Sequence, residues 1–331
     1  MKSPGTLLLR RDDVARLLSM EDCIAAVEQA FRLYGEGKAA PPGVLGVNVE
    51  GGGFHIKAGV LALRQSYFAA KVNANFPDNR KRFDLPTIQG VIVLCDATNG
   101  RPLAVMDSME ITAQRTGAAT AVAAKYLARQ NSTVVTICGC GSQGRYQLRA
   151  LAQVLPLSKV YACDISSDQA KQFASEMSRE LGLQVVAVAD LGSAARQSDV
   201  CVTCTTSRQP LLAPDHVSPG TFIAAVGADN PEKQELYPAL MANNKVVADM
   251  VEQCAAIGDL HHAITAGLMT KAAVHAELGE VVAGKKTGRT SDQEIVIFDS
   301  TGMALQDVAT AAVVYEKATR TGCGVTLDFA A

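Results

Sequence analysis

The sequence has no basic block, no apolar run long enough to cross a bilayer and few histidines. Each shortage removes a class of function. Lys and Arg number 31 against 33 Asp and Glu, for a formal charge of −2, and no cluster of cations breaks that balance. No nucleic-acid surface is expected. No stretch approaches the ~20 apolar residues of a membrane span, so no membrane partner is expected. Met1-Lys2-Ser3-Pro4 runs on to charge at Arg10 and Arg11 without a secretion signal, which points to a cytoplasmic setting. The five histidines show no H-x-x-x-H spacing, although His261-His262 precedes His275, and no metal is expected. Repeats and low-complexity linkers are missing as well. The nine cysteines are scattered. Cys138-x-Cys140 straddles a glycine turn, and Cys201-x-x-Cys204 has the spacing of a redox or zinc pair. Asp199 to Cys204, however, reads as a buried strand, in which side chains three apart point to opposite faces. The thiols therefore read as small hydrophobes in a reducing compartment.

What is present is a soluble globular composition, 48% hydrophobic and 19% charged, in 331 residues. That length suggests about two domains. The organising stretch is Thr133 to Leu148. A β-branched run, Thr133–Cys138, drops into Gly139-x-Gly141-x-x-Gly144 and continues with helical periodicity. This is the layout of a dinucleotide-binding turn. The first glycine permits the tight turn, the second lets backbone approach a pyrophosphate, and the third allows close helix–strand packing. The helix N-terminus favours the anionic phosphates. A lone glycine pattern is weak, but here a second apolar run, Lys159–Cys163, ends at Asp164, twenty positions after Gly144. An acidic residue there hydrogen-bonds the ribose hydroxyls and repels a 2′-phosphate, so NAD is the expected cofactor. The alternative for Asp164 is a cap on the next helix.

In chain order, a short strand at Thr6–Leu9 is followed by an Asp12-Asp13 cap and a brief helix. Ser19-Met20-Glu21-Asp22 has the pattern of a capping box for a helix reaching Gly35. Strands are expected at Val44–Val49, Gly53–Ile56, Tyr67–Val72, Thr87–Leu94 and Leu103–Asp107, with a turn at Asn99-Gly100. Ser108 to Arg129 is helical and rich in small residues. Further β-runs follow at Thr133–Cys138, Lys159–Cys163, Gln184–Val188, Val200–Thr203, Thr221–Val226, Lys245–Asp249 and Glu294–Phe298. Several alternate with helix-compatible segments such as Asp168–Leu181, and a last helix covers Ala304–Ala318. The pattern predicts an α/β chain: a Rossmann-type doubly wound parallel sheet plus a second α+β domain. The expected division is 126–304 for the NAD-binding domain, and 1–125 with 305–331 for a discontinuous substrate-binding and dimerisation domain.

Several local sequences go beyond fold: Lys71-Val72-Asn73, Leu85-Pro86-Thr87-Ile88-Gln89-Gly90, Arg115-Thr116-Gly117-Ala118-Ala119, Gly227-Ala228-Asp229-Asn230-Pro231-Glu232-Lys233-Gln234-Glu235-Leu236, and Phe298-Asp299-Ser300-Thr301-Gly302-Met303-Ala304-Leu305-Gln306-Asp307. Together, and in this order, they closely resemble the ornithine cyclodeaminase/μ-crystallin family over nearly the whole chain. The resemblance implies hydride exchange between nicotinamide and the Cα of an amino or imino acid. Dehydrogenases let water hydrolyse the imine, reductases deliver hydride to it, and cyclodeaminases let a side-chain amine displace ammonia before hydride returns. It also implies a homodimer built through the β-rich N-terminal domain.

Carried over residue by residue, the resemblance makes Lys71 a contact to the substrate carboxylate and a proton-transfer group. Its bland alternative is a surface lysine on an edge strand. Arg115 spans cofactor and substrate carboxylate, with an ordinary ion pair as its alternative, and Asp229 takes a proton from the substrate amine or orients water. A turn-forming aspartate is the alternative for Asp229. Lys233 approaches the cofactor from the same loop. Thr87, Gly139, Gly141, Ser142, Gln143, Gly144, Asp164, Thr205, Val226 and Ser300 become cofactor contacts, and Thr301 a substrate contact. The chain also departs from the ornithine-specific pattern. Many relatives carry arginine after the Pro-Pro pair, where Gly43 stands here; Lys57, on the face shared by His55, supplies the missing positive charge. No glutamate in that strand can hold a distant ammonium. An NAD-dependent amino-acid dehydrogenase or imine reductase is therefore the leading expectation. The alternatives are an ornithine-type cyclodeaminase and a noncatalytic NAD(P)H-binding protein.

Overall fold

A computed structural model describes residues 5–328 and divides into two compact units. The first takes in the chain up to Arg115 and again from Met303 onward; the second is Thr116–Gly302.

The chain begins with β1 (Thr6–Leu9), α1 (Arg11–Leu17), α2 (Met20–Gly35), β2 (Gly43–Val49), β3 (Gly52–Ala62) and β4 (Ser66–Asn75). Next come α3 (Asn79–Arg82), β5 (Ile88–Asp96), β6 (Pro102–Asp107) and α4 (Ser108–Leu127). The α2 helix starts as its sequence predicts, with the Ser19 side chain accepting from the Asp22 amide. The Asp12-Asp13 pair lies inside α1 and not ahead of it; the Asp13 carboxylate accepts from the Arg10 amide, 3.0 Å away.

The second unit continues with β7 (Val134–Cys138), α5 (Ser142–Leu151), β8 (Lys159–Cys163), α6 (Ser167–Leu181), β9 (Gln184–Val188), α7 (Leu191–Arg196), β10 (Val200–Thr203) and β11 (Phe222–Ala225). Then follow α8 (Pro238–Ala242), β12 (Lys245–Ala248), α9 (Val251–Ile257), α10 (Asp259–Thr265), β13 (Ala276–Glu277), α11 (Leu278–Val282) and β14 (Val296–Asp299). The chain closes with α12 (Ala304–Thr321) and β15 (Val325–Leu327), both in the first unit.

The first unit is built on a seven-stranded sheet in the order β15-β1-β6-β5-β4-β3-β2. All of its pairs are antiparallel except β1 with β6. Helix α12 packs on α2, β3 and β4. Its apolar residues join Phe31, Tyr67, Ile92 and Leu94 in the core, all fully buried. Each such side chain contributes about 1.5–3 kcal/mol by leaving water. Strand β3 extends well past the expected Ile56, because its antiparallel register with β4 continues to Ala62↔Ser66. The last strand, β15, has only three residues, all exposed, so no alternation marks it in sequence.

The second unit has an eight-stranded, wholly parallel sheet in the order β13-β12-β14-β11-β10-β7-β8-β9. Successive strands run outward from β7 to β9, then the order reverses and β10 lies on the other side of β7. Ligands of open α/β sheets bind at this reversal, outside the carboxyl ends of the strands. The glycine turn leaves β7 at that point. Strand β10 ends at Thr203, so Cys204 lies beyond the strand expected to contain it. Its thiol donates to the Cys138 and Gly139 carbonyls, whereas the Cys201 thiol donates to Ala195. Among the described residues no helix is long and apolar enough to cross a membrane.

Candidate active site

In the second unit the glycine turn has the predicted geometry. Gly139 sits at φ +103°, a conformation that side chains disfavour. A Cβ on Gly144 would stand 2.3 Å from the Gly139 carbonyl, so only glycine lets α5 approach the turn. By contrast, a Cβ on Gly141 would meet nothing closer than 3.8 Å. Gly141 is also the N-cap of α5 and offers no side-chain cap. The first amides of the helix, at Ser142 and Gln143, thus belong to a helix end suited to an anion.

Asp164 follows β8. One of its oxygens accepts from the Cys140 amide at 2.8 Å, and the other from Ser166 at 2.9 Å. It thereby ties the turn to the end of β8. The cap of α6 is Ser166, which accepts from Gln169, so the capping alternative for Asp164 does not hold. An ionised carboxylate has about four lone-pair sites, and two bonds leave acceptor capacity for ribose hydroxyls. The features fit a dinucleotide.

The other second-unit candidates lie on the carboxyl ends of neighbouring strands. Asp229 follows β11; its side chain is 58% exposed and receives the Lys233 ammonium at 2.7 Å. Val226 is buried, and its amide donates to Thr203. The Thr205 amide and hydroxyl both donate to Glu235. Ser300 and Thr301 donate their hydroxyls to the buried Asp249 carboxylate at 3.1 and 3.2 Å. Thr87 is in the first unit, just before β5, where its carbonyl accepts from Phe76.

The first unit brings Lys71, Arg115 and Lys57 together. Lys71 is in β4, an interior strand of the sheet, and is 4% exposed, so the edge-strand alternative is excluded. Its ammonium lies 2.7 Å from an oxygen of Asp307, and the Arg115 Nε is 3.2 Å from the other oxygen. Arg115 also donates to the Gln306 amide oxygen at 3.1 Å. Lys57 is directly opposite Lys71 in the β3–β4 register, and such pairs share a face with Cβ atoms about 5 Å apart.

Burial pushes the Lys71 ammonium down to about 7; Asp307 resists, while Arg115 and Lys57 add to the drop. Burial alone would raise the Asp307 carboxyl, but Lys71 and Arg115 outweigh it and hold it below its ordinary value. Position helps, since Asp307 occupies the first turn of α12, where the helix dipole favours negative charge. Arg115 and Lys57, joined by Lys71 when it is protonated, outnumber the one carboxylate and give this cluster a positive balance suited to an anionic ligand.

Asp307 has no assigned role in the sequence-based reading, although it closes the last recognised motif. Its signal was available: a carboxylate among Ala304, Leu305 and Val308 in an apolar helix calls for a cationic partner. Nothing local could identify that partner, because Arg115 lies 192 positions away.

The ornithine cyclodeaminase/mu-crystallin family model matches residues 5–322. The chain is 42% identical to an alanine dehydrogenase of Archaeoglobus fulgidus, over 98% of each sequence. It superposes on an archaeal alanine dehydrogenase dimer with bound NAD at TM-score 0.93, with 42% identity, covering 98% of this chain and 99% of that one. It also superposes on a Δ1-pyrroline-2-carboxylate reductase of Thermococcus litoralis in complex with NADH and L-proline, at TM-score 0.91 and 37% identity, covering 97% and 100%. The chain belongs to the ornithine cyclodeaminase/mu-crystallin family.

Proposed function

We propose that this NAD-dependent oxidoreductase moves hydride between NAD(H) and the Cα of a small amino or imino acid, as an amino-acid dehydrogenase or imine reductase. The observation that carries the reading is the buried Lys71–Asp307–Arg115 constellation. It combines a fixed cation for a carboxylate with an ammonium able to change its protonation near neutrality. The glycine turn and Asp164 support NAD over a 2′-phosphorylated cofactor.

Arg115, with Lys57, holds the substrate carboxylate and so orients Cα. When bound, the nicotinamide supplies a two-electron hydride acceptor or donor. In the oxidative direction the substrate amine must shed a proton; the second unit offers Asp229 as the acceptor, and the first unit offers neutral Lys71 as a proton-transfer group. Water then adds to the substrate imine, releasing ammonia and an oxo acid. For an imine reductase the direction is reversed and the imine is the substrate. The experiment is an absorbance trace with NAD and a panel of small L-amino acids. The absorbance of reduced nicotinamide should rise with NAD, as NADH, and far more slowly with NADP, as NADPH. Ammonia released from ornithine or lysine with no net NADH would instead identify a cyclodeaminase.

The position of Lys71 predicts a pH dependence. Neutral Lys71 is needed to accept a proton, so kcat/KM for amino-acid oxidation should rise with pH through about 7 and then level. The reductive direction needs the ammonium and should fall over the same range. Stability carries the matching sign. The unfolded lysine keeps its proton to 10.5 while the folded one releases it near 7, so the unfolded chain binds more protons between these values. The Lys71 contribution therefore increases across that window as pH rises. Flat pH–rate profiles in both directions would remove Lys71 from the proton path.

An exposed apolar edge of the first unit supports a homodimer. Strand β2 is a sheet edge exposed along its whole length, with Val44 at 51% and Leu45 at 56% exposure and Phe54 and Val60 on the adjoining β3. Apolar residues concentrated on one edge mark an association surface, and the archaeal alanine dehydrogenase is a dimer. Sedimentation at twice the 34.8 kDa chain mass is expected; sedimentation at the single-chain mass would contradict it. The nine free thiols support a reducing cytoplasm as the working compartment.

A further inference from the structure

The second unit contains a chain of buried carboxylates that the proposed reaction leaves unused. Glu235, Asp259 and Asp299 are all 0–1% exposed. The Glu235 carboxylate accepts three bonds: from the Thr205 amide at 2.6 Å, the Thr205 hydroxyl at 2.8 Å and the Gly227 amide at 2.8 Å. Thr205 belongs to the loop after β10, and Gly227 is two residues before Asp229 in the loop after β11. The fit is tight, since a Cβ on Gly227 would lie 2.5 Å from the Glu235 carboxylate and 2.5 Å from the Thr205 carbonyl. Glu235 is held in turn: its own amide and that of Leu236 donate to one oxygen of Asp259 at 2.9 and 2.8 Å. Asp299, at the end of β14, accepts from the amides of Asp259 and Leu260. Asp299 thus grips the backbone that carries Asp259, and Asp259 grips the backbone that carries Glu235.

We propose that Glu235 is a positioning residue, whose carboxylate sets the spacing between the loop after β10 and the loop that carries Asp229. The proposal rests on the dehydrogenase or reductase reading for its effect on turnover, but not for its effect on the loops. All three hydrogens that reach Glu235 come from donors, so the grip requires an acceptor on both oxygens. A protonated carboxyl turns one oxygen into a donor that opposes an N–H or O–H. Glutamine has the same defect, because its NH2 must face either Thr205 or Gly227. Aspartate keeps the charge but is one methylene too short to reach both loops.

The groups facing Glu235 are Asp259, the Thr203 and Thr205 hydroxyls and the thiols of Cys138 and Cys204. Burial first, and then the Asp259 carboxylate, push the Glu235 carboxyl upward. The grip is therefore complete at alkaline pH and relaxes on acidification through neutrality.

The test combines amide hydrogen exchange with NADH titration over pH 5.5–9, on wild type, Glu235→Gln and Glu235→Asp. In wild type, protection of the Thr205 and Gly227 amides, corrected for intrinsic rates, should rise with pH, and NADH affinity with it. Glu235→Gln should lose about tenfold in protection at both amides and about tenfold in NADH affinity at pH 8, with the pH dependence abolished. Glu235→Asp should lose protection at one of the two amides. Neither readout needs an amino-acid substrate, so failure of the proposed reaction leaves this test intact, and Lys71 does not enter it. Wild-type protection and affinity in Glu235→Gln would overturn the proposal. If that variant does not fold, pH-independent protection of the two amides in wild type would overturn it equally.

Discussion

Asp229→Asn is expected to cut turnover by about 10²–10⁴-fold, the usual worth of a positioned proton acceptor, while NADH affinity stays close to wild type. The substitution is nearly isosteric, and its amide oxygen can still accept from Lys233, the partner of Asp229 in the structure. The neighbouring backbone is held independently, through Gly227 on Glu235. Loop geometry should therefore survive and only the proton acceptor disappear. With the side chain 58% exposed, the stability change should lie within about 0.5 kcal/mol. Steady-state kinetics, NADH titration and thermal unfolding separate these effects. Unchanged turnover would remove Asp229 from the mechanism, and a parallel loss of NADH binding would make it a cofactor residue instead.

The largest stability effect is expected from Asp307→Ala. Removing this carboxylate leaves the Arg115 guanidinium buried without its anion and takes away the charge that holds the Lys71 proton. Breaking a buried pair in this way costs about 3–5 kcal/mol. Lys71→Met is the informative contrast. Asp307 keeps Arg115 as a partner, and the methionine fills most of the lysine volume, so the stability loss should be clearly smaller than in Asp307→Ala. Activity should not follow stability: Lys71→Met should lose at least about 100-fold in kcat/KM although the fold is largely retained. Calorimetry of the three proteins, with kinetics on the folded ones, tests both halves. If Asp307→Ala melts like wild type, Lys71, Asp307 and Arg115 do not form one electrostatic unit.

Much of this was legible in the sequence because the relevant physics is local. The β-branched run, the glycine spacing and Asp164 lie within about thirty residues, and each constrains its neighbours through backbone geometry. The strands of the second unit are short apolar runs, which periodicity detects even without knowledge of their order in the sheet. The unread features depend on distant partners. Asp307 looks like any helical aspartate until Lys71 and Arg115 arrive from β4 and α4. Glu235 carries no pattern, because its partners Thr205 and Gly227 come from two other strand ends. The reach of β3 past Ile56 is set by its pairing with β4, not by its own alternation, and β15 has nothing to bury.

The enzyme is expected to catalyse net hydride transfer between NAD(H) and the Cα of a small amino or imino acid. The most direct measurement incubates the enzyme with NAD and L-alanine or another small L-amino acid carrying deuterium at Cα, and follows the label, ammonia and NADH together. Hydride transfer to NAD should leave deuterium on the nicotinamide of the NADH formed, with one ammonia and one oxo acid released per NADH. It would be contradicted by ammonia release from ornithine or lysine with no net NADH, or by no label transfer from any small amino acid together with no NADH oxidation by any small imine.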